Sequence, residues 1–484
     1  MKNLIFCLLM SIATTAWCAP TAAPWTAYFG NHYVSAPWGL SLRDPGGPSG
    51  FGYWLPSAQA KKRMTTADSG SLEELSRPIA QGDVVLNVGG LGSGRDLGMV
   101  KDFLDEVRRD KAATWKKELS SRVRRVAKLP GATERVFWQF GNEINGPRFL
   151  RNMADWGGVN KRDRAEAMRQ IIPVYVEYFL APGVEAIRNT SRELHGDPEK
   201  IHVMLGSLAG ARNPNSIRWY EQLMEYTIKG DNAKSLAGRK VYEIVDSLSI
   251  HYLVTAQDDG WAEIMNNLAK KWIGRGAIRR IWSTEEIGVR RAQSGKGAST
   301  ALRVTARYLD WWLKQGWSPN QGHCFFWGAE MGEAGTRAND ALRTLVEFTG
   351  QTALARQPGA EAGELENYLF SVAGERKRVL IAFPKEKLTR GEDRDEGQGE
   401  RQGERQQRSE ISDSSEGGVF NGGTIPASGW SGTLKVRLLQ YTTQGVATIS
   451  APTVTQTNSG YRISPRSPIE MPAGSALLML IERE

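Results

Sequence analysis

From about residue 25 to 345 the chain alternates short apolar runs with longer stretches whose apolar positions recur every three to four residues. The short runs are 27–30 (AYFG), 84–89 (VVLNVG), 135–141 (RVFWQFG), 201–206 (IHVMLG), 246–252 (DSLSIHY), 279–286 (RRIWSTEE) and 323–328 (HCFFWG). They read as strands, and the stretches 97–128, 162–193, 215–230, 261–274, 298–315 and 336–349 read as amphipathic helices. Strands alternating with helices imply parallel βαβ units. The segment 33–80 is rich in Gly and Pro and reads as loop, so an eighth strand is not distinguishable there. The pattern predicts an α/β fold, a (β/α)8 TIM barrel over 24–350, with a doubly wound open sheet as the alternative. In a barrel the reacting groups sit at the C-terminal ends of the strands. Glu143, His251, Glu285, Glu286 and Trp327 all fall at such ends.

After residue 350 the helical periodicity stops. Segments 367–373, 376–383, 433–441 and 475–482 are strand-like, which predicts a small antiparallel β-sandwich domain over 360–484. Inside it, 388–418 is low in apolar residues, dense in charge and contains QGER twice, as a disordered surface insertion would.

Composition narrows the class. An apolar fraction of 40% and 16 Trp in 484 residues support large buried cores, and flat indole faces also suit sugar rings. Residues 1–19 (MKNLIFCLLMSIATTAWCA) have a lysine, an apolar stretch and then small residues, the layout of a signal peptide and too short for a membrane span. The expectation is export, to the periplasm or beyond. Lipidation at Cys18 is disfavoured by Trp17, which stands where a small residue is required. Only Cys324 lies clearly outside the leader, so no disulfide framework is expected. The net charge of +9 suits an anionic glycan such as an exopolysaccharide, but basic and acidic residues are mixed along the helices and no nucleic-acid-binding motif is present.

The chemistry is concentrated in two runs. VFWQFGNEI (136–144) delivers Asn142 and Glu143 after an aromatic strand, and IWSTEEIG (281–288) delivers Glu285 and Glu286. Two carboxyl groups flanking one bond are what glycosidic cleavage requires. Glu143 would serve as general acid/base and Asn142 would bind a sugar hydroxyl; an Asn helix cap explains the same pair without chemistry. Side chains alternate along a strand, so only one of Glu285 and Glu286 can share the cavity. Gly288, leaving room for a turn, favours Glu286 as nucleophile, whereas the Thr284-Glu285 pairing favours Glu285; Glu286 is preferred. Tyr252 could hold the nucleophile, His251 could contact a sugar hydroxyl or the acid/base, and Trp327 could form a platform beneath the sugar. Core packing accounts equally well for His251 and Trp327. The five His are scattered without ligand spacing, so no metal is expected, and no other cofactor is implied. There is no G-x-S-x-G elbow, and GGLGSG (89–94) lacks the Lys-Ser/Thr tail of a phosphate loop.

Taken together, FGNEI, LSIHY, IWSTEEIG and the strand-eight Trp resemble the retaining clan A glycoside hydrolases, and the trailing β-domain resembles the family 39-like end of that clan. The resemblance implies an Asn-Glu acid/base at the end of strand four (Asn142, Glu143) and a Glu nucleophile at the end of strand seven. The clan's Thr-Glu and Glu-x-Gly signatures here name different residues, Glu285 and Glu286. Many members also carry an Arg at the end of strand two, for which this sequence offers only Arg43. The implied activity is a retaining glycosidase acting on a polysaccharide or oligosaccharide, of unspecified oligomeric state. A barrel that binds glycan, or scaffolds its export, without cleaving it is the rival reading.

Overall fold

The computed structural model describes residues 23–31, 50–53, 75–76, 79–80, 82–88, 97–146, 164–209, 211, 214–254, 260–276, 278–286, 297–326, 332–350, 352–385, 417–427 and 430–484. The expected leader 1–19, the GGLGSG segment, Arg43, Trp327 and all but the last two residues of the expected insertion 388–418 lie outside the described residues.

Eight short strands hydrogen-bond in parallel and in chain order. They are β1 (Phe29–Asn31), β2 (Gly50–Tyr53), β3 (Val84–Asn87), β4 (Val136–Phe140), β5 (His202–Leu205), β6 (Ser247–His251), β7 (Arg280–Glu286) and β8 (Gly322–Phe326). β1 pairs with both β2 and β8, so the ladder returns on itself. This is a TIM-like β/α domain. The strand missing from the sequence pattern is β2, inside 33–80. Its four residues, GFGY, have no local periodicity to betray them and owe their conformation to pairing on both edges.

The longer helices among the described residues are α1 (Leu97–Asp110), α2 (Ala113–Val126), α3 (Arg164–Tyr175), α4 (Ala181–His195), α5 (Pro214–Met224), α6 (Trp261–Leu268), α7 (Gly297–Gln315) and α8 (Gly332–Thr349). The expected single helix 97–128 is broken in two. Lys111 and Ala112 take left-handed conformations (φ 53° and 63°), and the Asp110 carboxylate accepts the Thr114 N–H at 2.8 Å to start the second helix. The apolar spacing runs across the break without interruption, which is why the pattern reads as one helix. α2 buries Trp115, Leu119, Val123 and Val126, a stripe at helical spacing that packs on α4.

Alternation along the strands sorts the core into two parts. Val84, Leu86, Val136, Trp138, Phe140, Leu248, Ile250, Cys324 and Phe326 face the helices. Val85, Phe137, Met204, Trp282 and Phe325 form a separate cluster that fills the barrel interior. Beneath that plug the strand starts are polar: Arg280 pairs with Asp246 at 3.4 Å and lies over the Phe137 ring, and Asp83 is pushed up to about 6 by burial against the opposing pull of Arg280, Arg135 and His202. Above the plug the inward positions become polar again, and the candidate site is built there.

Beyond the barrel, six antiparallel strands lie in the spatial order Gly445–Ile449, Leu434–Thr442, Ala476–Arg483, Lys377–Phe383, Glu366–Val372 and Leu354–Gln357, with two smaller antiparallel sheets beside them. The sheet opens with Leu354, ahead of the expected start at 360. α7 packs between this sheet and the barrel. Arg307 of α7, almost fully buried, donates two hydrogen bonds to Glu366 at 2.9 and 2.7 Å, and the Tyr368 hydroxyl donates to the same carboxylate. No helix among the described residues is long and apolar enough to cross a membrane.

Burial raises the Glu366 pKa, but the Arg307 and Tyr368 bonds outweigh it and hold the carboxyl below its ordinary value. A depressed carboxyl pKa contributes stability above the unfolded-state value and loses it as pH falls through the folded-state value. Arg307→Ala should therefore cost about 3 kcal/mol at neutral pH, because it strands a largely buried carboxylate. The deficit relative to wild type should shrink as pH falls through the ordinary carboxyl range, because the carboxylate left without Arg307 protonates before the paired one does. Thermal unfolding of both proteins across that pH range checks this.

Candidate active site

The site is assembled from the C-terminal tips of β4, β5, β6 and β7. β4 ends at Phe140, Gly141 takes φ 98°, and Glu143 itself is left-handed at φ 48°. A non-glycine residue in that region costs about 1–3 kcal/mol and persists only where its surroundings hold it. The hold comes from the β5 tip. Ser207 Oγ accepts the Glu143 N–H at 2.7 Å and donates to Asn142 Oδ1 at 3.0 Å. The Ser207 carbonyl accepts the Ile144 N–H at 2.9 Å, and Asn145 bonds both backbone groups of Ala209. Behind this loop the buried Tyr175 hydroxyl donates to Phe140 O at 2.7 Å and accepts the Gly206 N–H at 3.3 Å. Burial pushes the Tyr175 phenol well above its ordinary value, so it stays a donor.

Glu285, near the end of β7, faces Glu143. One reactive oxygen of Glu143, one of Glu285 and a ring nitrogen of His251 all lie within 4.8 Å of one another. His251 Nδ1 is 3.6 Å from Glu143 Oε1 and 3.2 Å from Glu285 Oε2. Tyr252, left-handed at φ 51°, donates its hydroxyl to Glu285 Oε1 and its N–H to the Glu285 carbonyl at 2.9 Å. The two carboxyl groups are not equivalent: the Glu143 side chain is 28% exposed and that of Glu285 only 8%. Glu285 is thus the enclosed group, with the Tyr252 hydroxyl on one oxygen and the His251 ring beside the other, and Glu143 is the more open of the two.

A chain of side chains beneath them fixes where the hydrogens sit. Gln139 Nε2 donates to Gly141 O at 2.9 Å, which orients the amide and leaves Oε1 to accept from Thr284 Oγ1 at 3.0 Å. Thr284 has one hydroxyl hydrogen and spends it there, so toward His251 Nε2, 3.1 Å away, it can only accept. Nε2 therefore carries a hydrogen. Nδ1 faces the Glu143 and Glu285 carboxyl groups. The same three ligand atoms are close enough to surround a metal ion, a grouping that the scattered His of the sequence did not signal.

The expected choice of Glu286 over Glu285 is not what the geometry gives. Glu286 is fully buried on the opposite side of the strand, where its Oε2 accepts the Ser283 hydroxyl at 2.8 Å and the Tyr308 hydroxyl of α7 at 3.0 Å. The reason is a bulge. Ser249 pairs with Trp282 but His251 pairs with Glu285, and Ser283 pairs with Cys324 but Glu286 with Phe326. β7 therefore spends one more residue than either neighbour around Thr284. Trp282, Thr284 and Glu285 face inward, and Ser283 and Glu286 face out. Of the remaining expected residues, His251 is brought to both Glu143 and Glu285, Tyr252 to Glu285, and Asn142 to Ser207 beside Glu143.

No protein-family model matches the chain, and no curated protein does. Among solved structures it is similar to a xyloglucanase of glycoside hydrolase family 44 from Paenibacillus polymyxa, at 6% identity and TM-score 0.47, over 96% of this chain and 98% of that one. It is also similar to a β-porphyranase of family 86 from Bacteroides plebeius (10% identity, TM-score 0.39, 83% and 63% covered). A third is endo-glycoceramidase II from Rhodococcus sp. (12% identity, TM-score 0.35, 96% and 96% covered).

Sequence reasoning passed over Gln139, Ser207 and Asn145, and read Thr284 only as the neighbour of Glu285, not as the partner of Gln139 and His251. Gln139 had a legible signal, a buried amide inside an otherwise apolar run, VFWQF. Ser207 and Asn145 had none, because their importance comes from the apposition of two loops some sixty residues apart. That apposition is tight at Gly206, where an added Cβ would lie 2.3 Å from Phe140 O and 2.5 Å from Ile144 Cγ2. Gly206→Ala should destabilise the protein by more than about 3 kcal/mol. Gly196→Ala, whose Cβ meets nothing within 4 Å and which carries only the strain of φ +73°, should cost about 1 kcal/mol. Melting temperatures of the two variants separate the cases.

Proposed function

We propose that this chain is an exported retaining glycoside hydrolase acting on a polysaccharide or oligosaccharide, its eight strands forming a complete (β/α)8 barrel of the clan A type. The observation that supports this most is the approach of the Glu143 and Glu285 side chains to within 4.8 Å, each from its own strand tip. Retaining enzymes hold their two carboxyl groups about 5–5.5 Å apart, whereas inverting ones leave about 6.5–9.5 Å for a water.

In this reading Glu285 is the nucleophile. The Tyr252 hydroxyl on one oxygen and the His251 ring at the other favour its ionised form. It attacks the anomeric carbon while Glu143, the more open carboxyl, gives its proton to the departing glycosidic oxygen. Water then enters, Glu143 takes its proton, and the hydroxide oxygen displaces Glu285 from the sugar. His251 stands between the two groups and keeps their side chains in place. Asn142, its Oδ1 taken by Ser207, offers its amide N–H groups to a sugar hydroxyl. Trp327, following β8, would stack beneath the ring. No cofactor enters these steps. The net charge of +9 favours an anionic substrate, for which an exopolysaccharide processed after export is the natural class.

Glu143→Gln and Glu285→Gln should each lower turnover by at least about a hundredfold, with glycan binding retained. Reducing-end release from a polysaccharide panel, alongside binding by calorimetry, reads both. A wild-type protein that binds a glycan without cleaving any would sink the enzyme reading and favour a glycan-binding barrel. A fluorinated glycosyl trap followed by peptide mapping should label Glu285.

A further inference from the structure

We propose that Glu286, whose carboxyl is received on the outer side of the strand, is a positioning residue for the reacting groups: its buried carboxyl, bonded to Ser283 and to Tyr308 of α7, locks the β7 bulge that turns Glu285 into the cavity. The proposal rests on the hydrolase reading for its kinetic consequences, though not for its structural ones.

The argument begins with strand parity. Trp282 belongs to the barrel-interior cluster and Thr284 bonds Gln139 across the interior. Regular alternation from these two would put Glu286 inside and Glu285 outside. The ladders on both edges of β7 show instead that one residue is inserted around Thr284. A bulge of this kind re-aims the side chains that follow it. It also leaves part of the ladder unpaired, so something must make it preferable to the regular register.

In the regular register the carboxyl of residue 286 would point into the space that Glu285 fills beside His251 and Glu143, and that of residue 285 would enter the apolar layer under α7. In the observed register the outward carboxyl meets two hydroxyl donors, at 2.8 and 3.0 Å. The Tyr308 phenol is pushed well above its ordinary value, by burial first and by Glu286 next, so it remains a donor. Its ring is fixed in turn, stacked on Trp312 at 4.7 Å and set edge-on to Trp261 at 5.8 Å. The anchor therefore lies on a rigid helix, and the neighbouring residue on that helix, Arg307, ties it to the C-terminal sheet through Glu366. A carboxyl group in this layer without donors would be costly, so the outward partners select the register, and the register selects which glutamate enters the cavity.

Kinetics and a crystal structure test it. Glu286→Met fills the space but accepts no hydroxyl, and should lower kcat about a hundredfold with KM within about threefold, since a nucleophile displaced by about 1 Å fails in the transition state rather than in binding. Glu286→Gln keeps an acceptor oxygen and should recover turnover to within about tenfold of wild type. Tyr308→Phe, which removes one donor, should fall between them, and it carries the test if Glu286→Met does not fold. Full kcat in Glu286→Met, or in Tyr308→Phe where that variant carries the test, overturns the proposal. So does a glycosyl trap that labels Glu286. If the wild-type protein cleaves no glycan, the hydrolase reading fails separately, and the crystal structure of the Glu286→Met protein, or of the Tyr308→Phe protein in its place, decides: residue 285 turned out of the cavity supports the lock, and an unchanged bulge refutes it.

Discussion

Two carboxyl groups within 4.8 Å of one another repel whenever both are ionised, and the strand tips are arranged around that constraint. His251 answers it directly by presenting one ring nitrogen to both. Its other nitrogen is tied down by Thr284, Gln139 and the Gly141 carbonyl, a run of fixed donors and acceptors that leaves the imidazole a single orientation. Two residues, Glu143 and Tyr252, accept left-handed backbone to bring their side chains to this point. That local cost is borne by the packed structure behind them.

The supporting structure is layered. Nearest are the loop-to-loop bonds of Ser207 and Asn145; behind them stand buried tyrosines, Tyr175 against β4 and β5 and Tyr308 against β7, each carried on a helix. Further out, α7 is held between barrel and C-terminal sheet by the Arg307–Glu366 pair. The C-terminal sheet is thus mechanically continuous with the strand that carries Glu285, without contributing a residue to the cavity among those described here. Aliphatic and aromatic side chains outside the strands and an aromatic plug inside them make the platform on which these polar contacts are fixed.

Much of this was legible in order of residues alone. The runs ending in Glu143, His251 and Glu285 were marked as strand tips by apolar patterning, because buried parallel strands must be apolar on both faces and must end where the chain turns polar. The C-terminal strands were readable for a related reason: 377–383 and 476–483 alternate or run apolar over a length that only a strand explains. What was not legible lacks a local signature. β2 exists because two neighbours pair with it; the α1–α2 break interrupts the backbone but not the apolar stripe; Ser207 matters only because a distant loop lands on it.

The sharpest division falls between two adjacent glutamates. Local pattern determined that β7 ends in two carboxylates opposite a strand ending in one, which is enough to direct attention to carboxyl chemistry. It could not determine which of the two enters the cavity, since alternation assumes an unbroken register and the bulge breaks it. That choice belongs to tertiary structure: hydroxyls from Ser283 and from a helix twenty-odd residues downstream receive Glu286 on the outside, and Glu285 is left to meet Glu143. Short-range periodicity is set by the chemistry of successive side chains, whereas a one-residue shift in register is decided by the partners that wait on either face of the sheet.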